Sequence, residues 1–276
     1  MKSEEVHQIA TKAIEELAVA LESGRSESLA AYLKAMGCFH RYSLHNVLLI
    51  ALQRPAATHV AGFHAWKRLG RFVRKGERGI FILAPIVRSK TAPPEGEESS
   101  ERVLAGFRGC AVFDYSQTEG RELPAIGRVE GDPSGNLDAL AAFTKVQGIS
   151  LRYDEAIAPA RGISEGGKIT LLPGMPPAEL FGTLAHELAH ELLHRQNPAA
   201  TTKRQRETEA EAVAFVVSHA IGLETGTASQ DYIQLYRGDA GLLRDSLENV
   251  RNAASKILTG ILPPSPLPPA APADAA

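Results

Sequence analysis

The stretch HELAHELLH occupies residues 186–194 and places three histidines four residues apart, with a glutamate after each of the first two. Residues four apart lie on one face of an α-helix, so His186 and His190 can direct their imidazoles at one point. Glu187, about 100° further round the helix, can reach a water held there. This HExxH arrangement predicts a zinc site on a helix, because two neutral imidazoles and a water suit Zn²⁺.

A catalytic zinc site normally has a third protein ligand. The segment RETEAEAVAF, residues 206–215, predicts a second helix with Glu207 and Glu211 one turn apart on one face. We expect Glu207 to be the ligand and Glu211 to hydrogen-bond a ligand imidazole, which fixes its tautomer. Glu209 points roughly 200° away from Glu207 on a regular helix and is the less suitable ligand. His194 continues the rigid motif helix, and three histidines strung along about 12 Å of axis are too far apart to share one ion.

The alternative to a zinc site is the polar face of a surface helix, since HExxH also arises by chance. Against it, the rest of the motif helix is apolar, which implies burial, and unpaired polar groups are costly there. The strand-like segment GGKITLLPG, residues 166–174, precedes the helix, as a substrate-aligning edge strand does in zinc peptidases. We therefore predict catalysis, with Glu187 as the base that takes the proton of the water. Candidate donors to the oxyanion are His219, Tyr232 and Tyr236.

Length and composition indicate a globular protein. The chain has 276 residues, of which 44% are hydrophobic and 22% charged, so we expect well-formed cores and two domains. No apolar run approaches the roughly 18 residues that span a bilayer, and glutamates stand where a signal peptide has an apolar block. We expect a cytoplasmic protein with no membrane partner. Cys38 and Cys110 lack CxxC spacing, which favours reduced, buried thiols.

Basic charge is concentrated in the front part of the chain. Residues 54–90 hold 9 Lys and Arg against the single acid Glu77. The basic segment WKRLGRFVRKGERGIFI, residues 66–82, interleaves cations with aromatic rings, a pairing that suits the phosphates and unstacked bases of single-stranded nucleic acid. The predicted interface consists of Trp66, Lys67, Arg68, Arg71, Arg74, Lys75 and Arg78. The alternative is a solvated hairpin whose aromatic side chains lie in the core. The glycines here lack the order of a phosphate-binding loop, so we expect no nucleotide cofactor.

Periodicity and turn residues predict an α+β chain, with a small helical and β domain over residues 1–126 and a second domain over residues 127–262. The polar, glycine-containing run GRVEGDPSGN marks the boundary, and the Pro- and Ala-rich residues 263–276 predict a disordered tail. Helices are expected over residues 3–21, 27–36, 42–53, 137–147, 176–195 and 203–221, with one or two more up to residue 262. Strands are expected over residues 59–88, 107–117, 149–156 and 166–174, and an exposed loop over residues 91–101.

The front part of the chain resembles the N-terminal domain of ArdC-type antirestriction proteins of mobile genetic elements, over YSLHNVLLIALQRPAATHVAGFHAWKRLGRFVRKGERGIFILAP (residues 42–85) and VFDYSQTEGRELP (residues 112–124). The rear part, with HELAH, RETEAEAVAF and DYIQLYRGD, resembles the zincin-like metallopeptidase domain that accompanies it, related in layout to thermolysin and ImmA/IrrE peptidases. The resemblance implies a domain that binds single-stranded DNA and a zinc peptidase-like domain, which together protect incoming DNA from restriction. It also supports His186, His190 and Glu207 as zinc ligands.

Two functions remain open on these grounds. In the first, the protein binds single-stranded DNA and its HExxH domain hydrolyses peptide bonds of a protein substrate. In the second, it is a non-catalytic protection protein that binds single-stranded DNA and holds zinc for structural reasons. A regulator that cleaves a repressor is disfavoured, because the sequence has no recognisable repressor-binding segment.

Overall fold

The computed structural model describes residues 3–23, 27–89, 102–122, 133–197, 200–223 and 239–264. Contacts divide the chain into two compact units. Within the described residues, the first unit comprises residues 3–13, 45–89 and 102–122, and the second comprises residues 14–23, 27–44, 133–197, 200–223 and 239–264. The linear sequence does not indicate that residues 14–44 group with the second unit. The predicted boundary at residue 126, the predicted loop over residues 91–101 and nearly all of the predicted disordered tail lie outside the described residues and stay predictions.

Helices and small sheets are both present in the described residues, which confirms the predicted mixture of helical and β structure. In chain order they are α1 (Ser3–Glu22), α2 (Glu27–Cys38), α3 (Leu44–Gln53), β1 (Val60–Gly62), α4 (Phe63–Arg68), β2 (Arg71–Val73), β3 (Ile80–Ser89), β4 (Arg102–Asp114), β5 (Thr118–Gly120), α5 (Ser134–Val146), β6 (Ser150–Tyr153), β7 (Gly162–Ser164), β8 (Lys168–Leu171), α6 (Pro177–Leu193), α7 (Lys203–Ala220) and α8 (Ala240–Ile261).

The first unit contains two antiparallel sheets. One has the order β1-β4-β3 and the other pairs β2 with β5. The long β3–β4 pair runs from Ile80 opposite Val112 to Ser89 opposite Arg102, with a register shift after Ile86. The apolar residues Ile80, Ile82, Ala84 and Val112 are buried. Ile80, Ile82 and Ala84 alternate along β3 and place one face of the sheet in the core, and Leu83 on the other face is buried as well.

Helix α3 covers the open edge of β3 with two side-chain amides. Asn46 Nδ2 donates to Leu83 O at 2.8 Å, and its Oδ1 accepts from Leu83 N at 2.9 Å. Two turns later, Gln53 makes the same pair of bonds with Phe81 at 2.8 and 2.9 Å. Pro85, the next residue on this side of the strand, has no N–H to leave unpaired. The edge therefore offers few backbone groups to another chain.

The second unit packs helices against a three-stranded sheet of order β6-β8-β7. Strand β6 runs parallel to β8, and β7 runs antiparallel to it. Helix α7 packs against α6, α2 and α8, and its residues Ala212, Val213, Val216 and Val217 are fully buried. Gly37 of α2 permits a close approach, since a Cβ there would lie 3.0 Å from Val216 O. Helix α7 is thus the central element of this unit.

Three sequence predictions need correction. Residues 59–88 were expected to form only strands, but α4 lies among them; it ends before Gly70, whose positive φ of 75° suits glycine. GGKITLLPG was expected to supply the edge strand, but β8 is the central strand and β7 lies at the edge. A three-residue strand is too short to carry a periodic signal. Cys38 is exposed and Cys110 only half-buried, although neither is in a disulfide bond.

Among the described helices, none combines the length and apolar character needed to cross a bilayer.

The Asn46 contact leads to a prediction about stability. Asn46→Ala leaves Leu83 N–H and C=O unpaired at a buried position, so we expect the free energy of unfolding to fall by about 2–3 kcal/mol. Gln53→Ala is the matched control. It removes the same pair of bonds at an exposed position, where water replaces them, and is expected to cost about 1 kcal/mol or less. Urea unfolding measures both losses, and equal losses would contradict this account of the edge.

Candidate metal centre

Helix α6 presents its histidines on a half-buried face. The helix begins after Pro176, with Pro177 at its first position, where the missing N–H is not needed. Phe181, Leu184, Ala185, Leu188 and Ala189 are completely buried and fix the helix in the second unit. The polar residues of the motif therefore have defined positions.

The structure brings His186, His190 and Glu207 together. Their ligand atoms all lie within 4.8 Å of one another. The two Nε2 atoms are 3.1 Å apart, and each lies 3.6 Å from Glu207 Oε2. Two ligand atoms of a tetrahedral ion, each about 2.1 Å from it, are about 3.4 Å apart. The donor set therefore fits one divalent metal ion, as the sequence predicts, with the carboxylate supplied by α7.

Glu211 contacts the outer nitrogen of the first histidine. Its Oε2 lies 3.4 Å from His186 Nδ1. A proton on Nδ1 leaves the lone pair of Nε2 directed towards Glu207 and His190. Burial alone would lower the pKa of His186, but the hydrogen bond and charge of Glu211, together with nearby carboxylates, raise it. For His190, burial and the charge of His186 lower the pKa, which favours the neutral imidazole that a metal requires.

Glu187 is buried on the side of α6 that meets the edge strand. A Cβ on Gly162 of β7 would lie 2.7 Å from Glu187 Cγ, 2.8 Å from its Oε1 and 2.8 Å from Thr183 Cγ2. Only glycine allows the strand to approach this closely. Burial raises the pKa of Glu187, and nearby carboxylates raise it further although His186 opposes them. A raised pKa is typical of a carboxylate that acts as a general base near neutral pH.

The second glutamate of the motif, Glu191, fastens the same edge. Ser164 Oγ donates to Glu191 Oε1 at 2.7 Å, and Gly167 N donates to Glu191 Oε2 at 2.6 Å. The carboxylate also lies 3.8 Å from Arg195 Nε. The sequence pattern predicts no role for Glu191, Ser164 or Gly162. The sequence does contain a signal for Glu191, because the pair His-Glu of residues 186–187 recurs at residues 190–191. A buried glutamate on this helix needs polar partners.

The third histidine does not join the cluster. His194 is buried at the end of α6, its ring centre is 5.8 Å from that of His190, and its Nε2 lies 3.6 Å from Glu209 Oε2. Burial lowers the pKa of His194 to about 4, so this imidazole is neutral at neutral pH. The position agrees with the expectation that His194 does not share the ion.

The candidate donors to an oxyanion gain no support. His219 stacks on Phe215, with ring centres 6.1 Å apart and an angle of 7° between the rings. Tyr232 and Tyr236 lie outside the described residues. The assignment of this donor stays open among the three candidates.

Two residues of the predicted nucleic-acid interface belong to the interior of the first unit, and this part of the prediction is wrong. Trp66 is 0% exposed, and its Nε1 donates to Phe113 O at 2.8 Å, so neither ring face can stack on a base. Arg71 is also buried. Its guanidinium donates to Thr118 Oγ1 at 2.7 Å and to Arg121 O at 2.5 Å, and it lies over the Tyr115 ring. Sequence spacing alone does not separate such arginines from exposed ones.

The remaining predicted interface residues, Lys67, Arg68, Arg74, Lys75 and Arg78, are exposed. Arg74 is held by Glu77 at 2.7 Å and donates to Ser116 O at 2.6 Å. Two aromatic rings of the same region are exposed instead of Trp66: Phe63 at 50% and Phe72 at 52%. These exposed side chains combine positive charge with accessible ring faces.

Residues 3–113 match the family described as the N-terminal domain of anti-restriction factor ArdC. A Bacillus anthracis protein, described as uncharacterised, is 24% identical over 250 residues, which cover 75% of this chain and 42% of that protein. The chain thus spans less than half the length of this curated relative.

Solved structures show the same likeness. The metal-free crystal structure of antirestriction ArdC protein from the R388 plasmid has a TM-score of 0.54 at 19% identity, covering 92% of this chain and 97% of that chain. The Mn(II)-bound structure of that protein gives a TM-score of 0.45 at 22% identity, covering 80% and 89%. The metal-free structure shows a shared fold, and with the family match it confirms the predicted resemblance to ArdC-type antirestriction proteins.

Gly162 provides a test of the contact between the edge strand and Glu187. Gly162→Ala introduces a Cβ less than 3 Å from Glu187 and Thr183, so we expect a loss of about 1–3 kcal/mol in the free energy of unfolding. Gly182→Ala on α6 is the control, because nothing lies within 4 Å of its Cβ position and alanine favours the helix by about 0.5–1 kcal/mol. In denaturant unfolding, the free energy of unfolding should fall for Gly162→Ala and rise for Gly182→Ala. A neutral Gly162→Ala would show that the strand does not press on Glu187.

Proposed function

We propose, on the premise that residues 3–113 are an ArdC N-terminal domain, that this chain is an antirestriction protein with two activities. Its basic segment binds single-stranded DNA. Its second unit is a zincin-like metallopeptidase that holds Zn²⁺ on His186, His190 and Glu207. The convergence of these three side chains within 4.8 Å is the observation that carries the hydrolytic part.

The choice of zinc follows from the donor set. Two imidazoles and one carboxylate leave a fourth position for water, which is the ligand pattern of hydrolytic zinc sites. Sites of this kind also bind Zn²⁺ more tightly than Mn²⁺ in the general order of divalent metals. Glu211 supports the site by holding the proton of His186 on Nδ1.

The residues around the centre suit peptide hydrolysis. Bound Zn²⁺ supplies a Lewis acid that polarises a carbonyl and lowers the pKa of a water to about 7. Glu187, whose pKa is raised by burial, is placed to accept a proton from a water at this centre and would deliver it to a leaving amine. His186 and His190 would hold the ion as neutral imidazoles, and Glu207 would balance part of its charge.

The edge strand suits an extended substrate. Strand β7 pairs with β8 and with no other described strand, so its second edge carries no strand within the described residues. A peptide that pairs there gains main-chain hydrogen bonds and lies beside Glu187, because Gly162 adjoins this side chain. We therefore propose that the substrate binds as an added strand on β7.

The DNA-binding part rests on the exposed side chains of the basic segment. Lys67, Arg68 and Lys75 can neutralise phosphates, and Phe72 can stack on a base. Phe63 extends the aromatic surface next to Lys67 on α4. Trp66 and Arg71 instead lie in the interior beneath this surface and support it through their buried hydrogen bonds.

A second candidate function is protection by DNA binding alone, with a structural metal. The exposed cations and aromatic rings of the basic segment favour it, since they would serve DNA binding without any hydrolysis. The two candidates differ in one residue, because only hydrolysis needs Glu187.

Metal binding and hydrolysis are separated by two variants. His186→Ala removes a ligand and is expected to weaken Zn²⁺ binding by more than about 100-fold, beyond the cost of losing an outer partner. Glu187→Gln keeps all three ligands, so its Zn²⁺ affinity should equal that of the wild type while hydrolysis is lost. Competition with a chromophoric chelator measures affinity, and transfer of an unmodified plasmid into a restricting host measures protection.

Protection is the deciding readout. Loss of protection in Glu187→Gln supports the peptidase function, and full protection supports DNA binding with a structural metal. Undiminished Zn²⁺ binding by His186→Ala would reject the centre itself.

The DNA interface is tested by salt dependence. Lys67→Ala combined with Arg68→Ala should reduce the slope of log affinity against log salt by about 1.4, since each phosphate contact on a single strand contributes about 0.7. Lys145→Ala, an exposed cation of α5, is the control and should leave the slope unchanged. Phe72→Ala should weaken binding by about 1–3 kcal/mol with little change in slope, because stacking releases no counterions. An unchanged affinity in both the Lys67→Ala/Arg68→Ala double variant and Phe72→Ala would reject this surface.

A further inference from the structure

One buried carboxylate joins three helices of the second unit. Glu209 of α7 is 0% exposed. Its Oε1 accepts from Gln205 Nε2 at 3.2 Å, and Ser246 and Asn249 of α8 also hydrogen-bond the carboxylate. On the opposite side, its Oε2 lies 3.6 Å from His194 Nε2 of α6. Glu209 therefore contacts α6 and α8 from the middle of the bundle.

His194 Nε2 and Glu209 Oε2 face each other, while other atoms of the two side chains have their own partners: the backbone of Arg206 for His194, and Gln205, Ser246 and Asn249 for Glu209. Both atoms are buried, neither has a hydrogen-bond partner among the described residues, and their separation of 3.6 Å is longer than a hydrogen bond. A buried nitrogen or oxygen without a hydrogen bond is costly. The contact between the two atoms offsets part of this cost only at one relative position of α6 and α7. A shift of α7 along α6 would therefore separate the pair.

Two kinds of contact cross between α6 and α7. Glu207 and Glu211 face His186 and His190, but their side chains are 52% and 56% exposed, so water competes for them. The His194–Glu209 contact is sealed from solvent. Exposed contacts between long side chains contribute little to stability, whereas a buried contact is strongly tied to geometry. The exposed glutamates thus depend on other contacts for their placement.

We propose that the His194–Glu209 pair is a positioning device for the metal centre: it fixes α7 against α6 so that Glu207 and Glu211 face the two ligand histidines. The inference rests on the proposed metal centre and gives the third histidine of HELAHELLH a role. His194 and Glu209 touch neither the ion nor a substrate, so they act through Glu207 and Glu211.

A plain structural pair would behave differently. Replacing a buried polar pair by apolar side chains of similar size is often neutral or stabilising, so stability alone would tolerate the exchange. A register device loses its function in that exchange although the protein stays folded. Metal affinity, compared at matched stability, therefore separates the two roles.

The experiment uses four variants of the full chain and Zn²⁺ as the probe. Glu209→Leu removes the carboxylate, His194→Leu removes the imidazole, and the double variant replaces both with apolar groups. Glu209→Gln keeps the shape and a hydrogen-bond group and serves as the conservative rescue. Leu140→Ala, at a fully buried site of α5, is the control because it lowers stability without removing a polar group.

We expect Glu209→Leu to weaken Zn²⁺ binding by about 10-fold or more, as the loss of a positioning partner does. Glu209→Gln should retain most of the affinity. The double variant should lose no more than Glu209→Leu alone, because both changes remove one contact. Leu140→Ala should bind as the wild type does. Equal affinity in Glu209→Leu and the wild type, or an equal loss in Leu140→Ala at the same unfolding midpoint, would overturn the proposal.

A measurement on the metal-free protein tests the His194–Glu209 pair separately from the proposed metal centre. If the wild type binds no Zn²⁺, the proposed metal centre is rejected. Hydrogen exchange of the metal-free protein then shows whether the pair holds α7 in place. Faster exchange over residues 203–210 in Glu209→Leu than in Leu140→Ala supports a device that holds α7. Equal exchange in these two variants overturns it.

Discussion

The packing of α6 against α7 is the constraint on which the second unit depends. Two imidazoles one turn apart on α6 supply most of a metal site, but the carboxylate must come from another helix. In this structure α7 brings Glu207 to within 3.6 Å of both Nε2 atoms and Glu211 to within 3.4 Å of His186 Nδ1. The contact is possible because the opposite sides of α7 are buried against α2 and α8. Apolar packing thus holds charged side chains where a metal ion can use them.

The polar residues of α6 divide between its two sides. His186 and His190 face the glutamates of α7, whereas Glu187 and Glu191 face the edge strand β7. Glu191 fixes this strand through Ser164 and Gly167, and Gly162 gives Glu187 the space that it needs. One helix therefore positions both the ligands and the base, which keeps their mutual geometry within a single rigid element.

The first unit uses buried polar groups in a similar way. Asn46 closes the edge of β3, and Arg71 joins β2 to β5 through Thr118 and Arg121. Such contacts explain why the basic segment cannot be interpreted from charge alone. A guanidinium satisfied inside the fold supports the surface, and only the cations outside it are available to a phosphate.

The sequence by itself determined the local chemistry: helical spacing predicts that His186 and His190 share a face and that Glu207 and Glu211 share another, because side-chain directions repeat every 3.6 residues. It also determined the α+β class and most helix positions, since amphipathic periods of ten or more residues carry a clear signal. Tertiary structure alone decided that β7 is the edge strand, that Trp66 and Arg71 are interior, and that His194 meets Glu209. These outcomes depend on which faces pack together, and contacts between residues distant in the chain leave no periodic trace in the sequence.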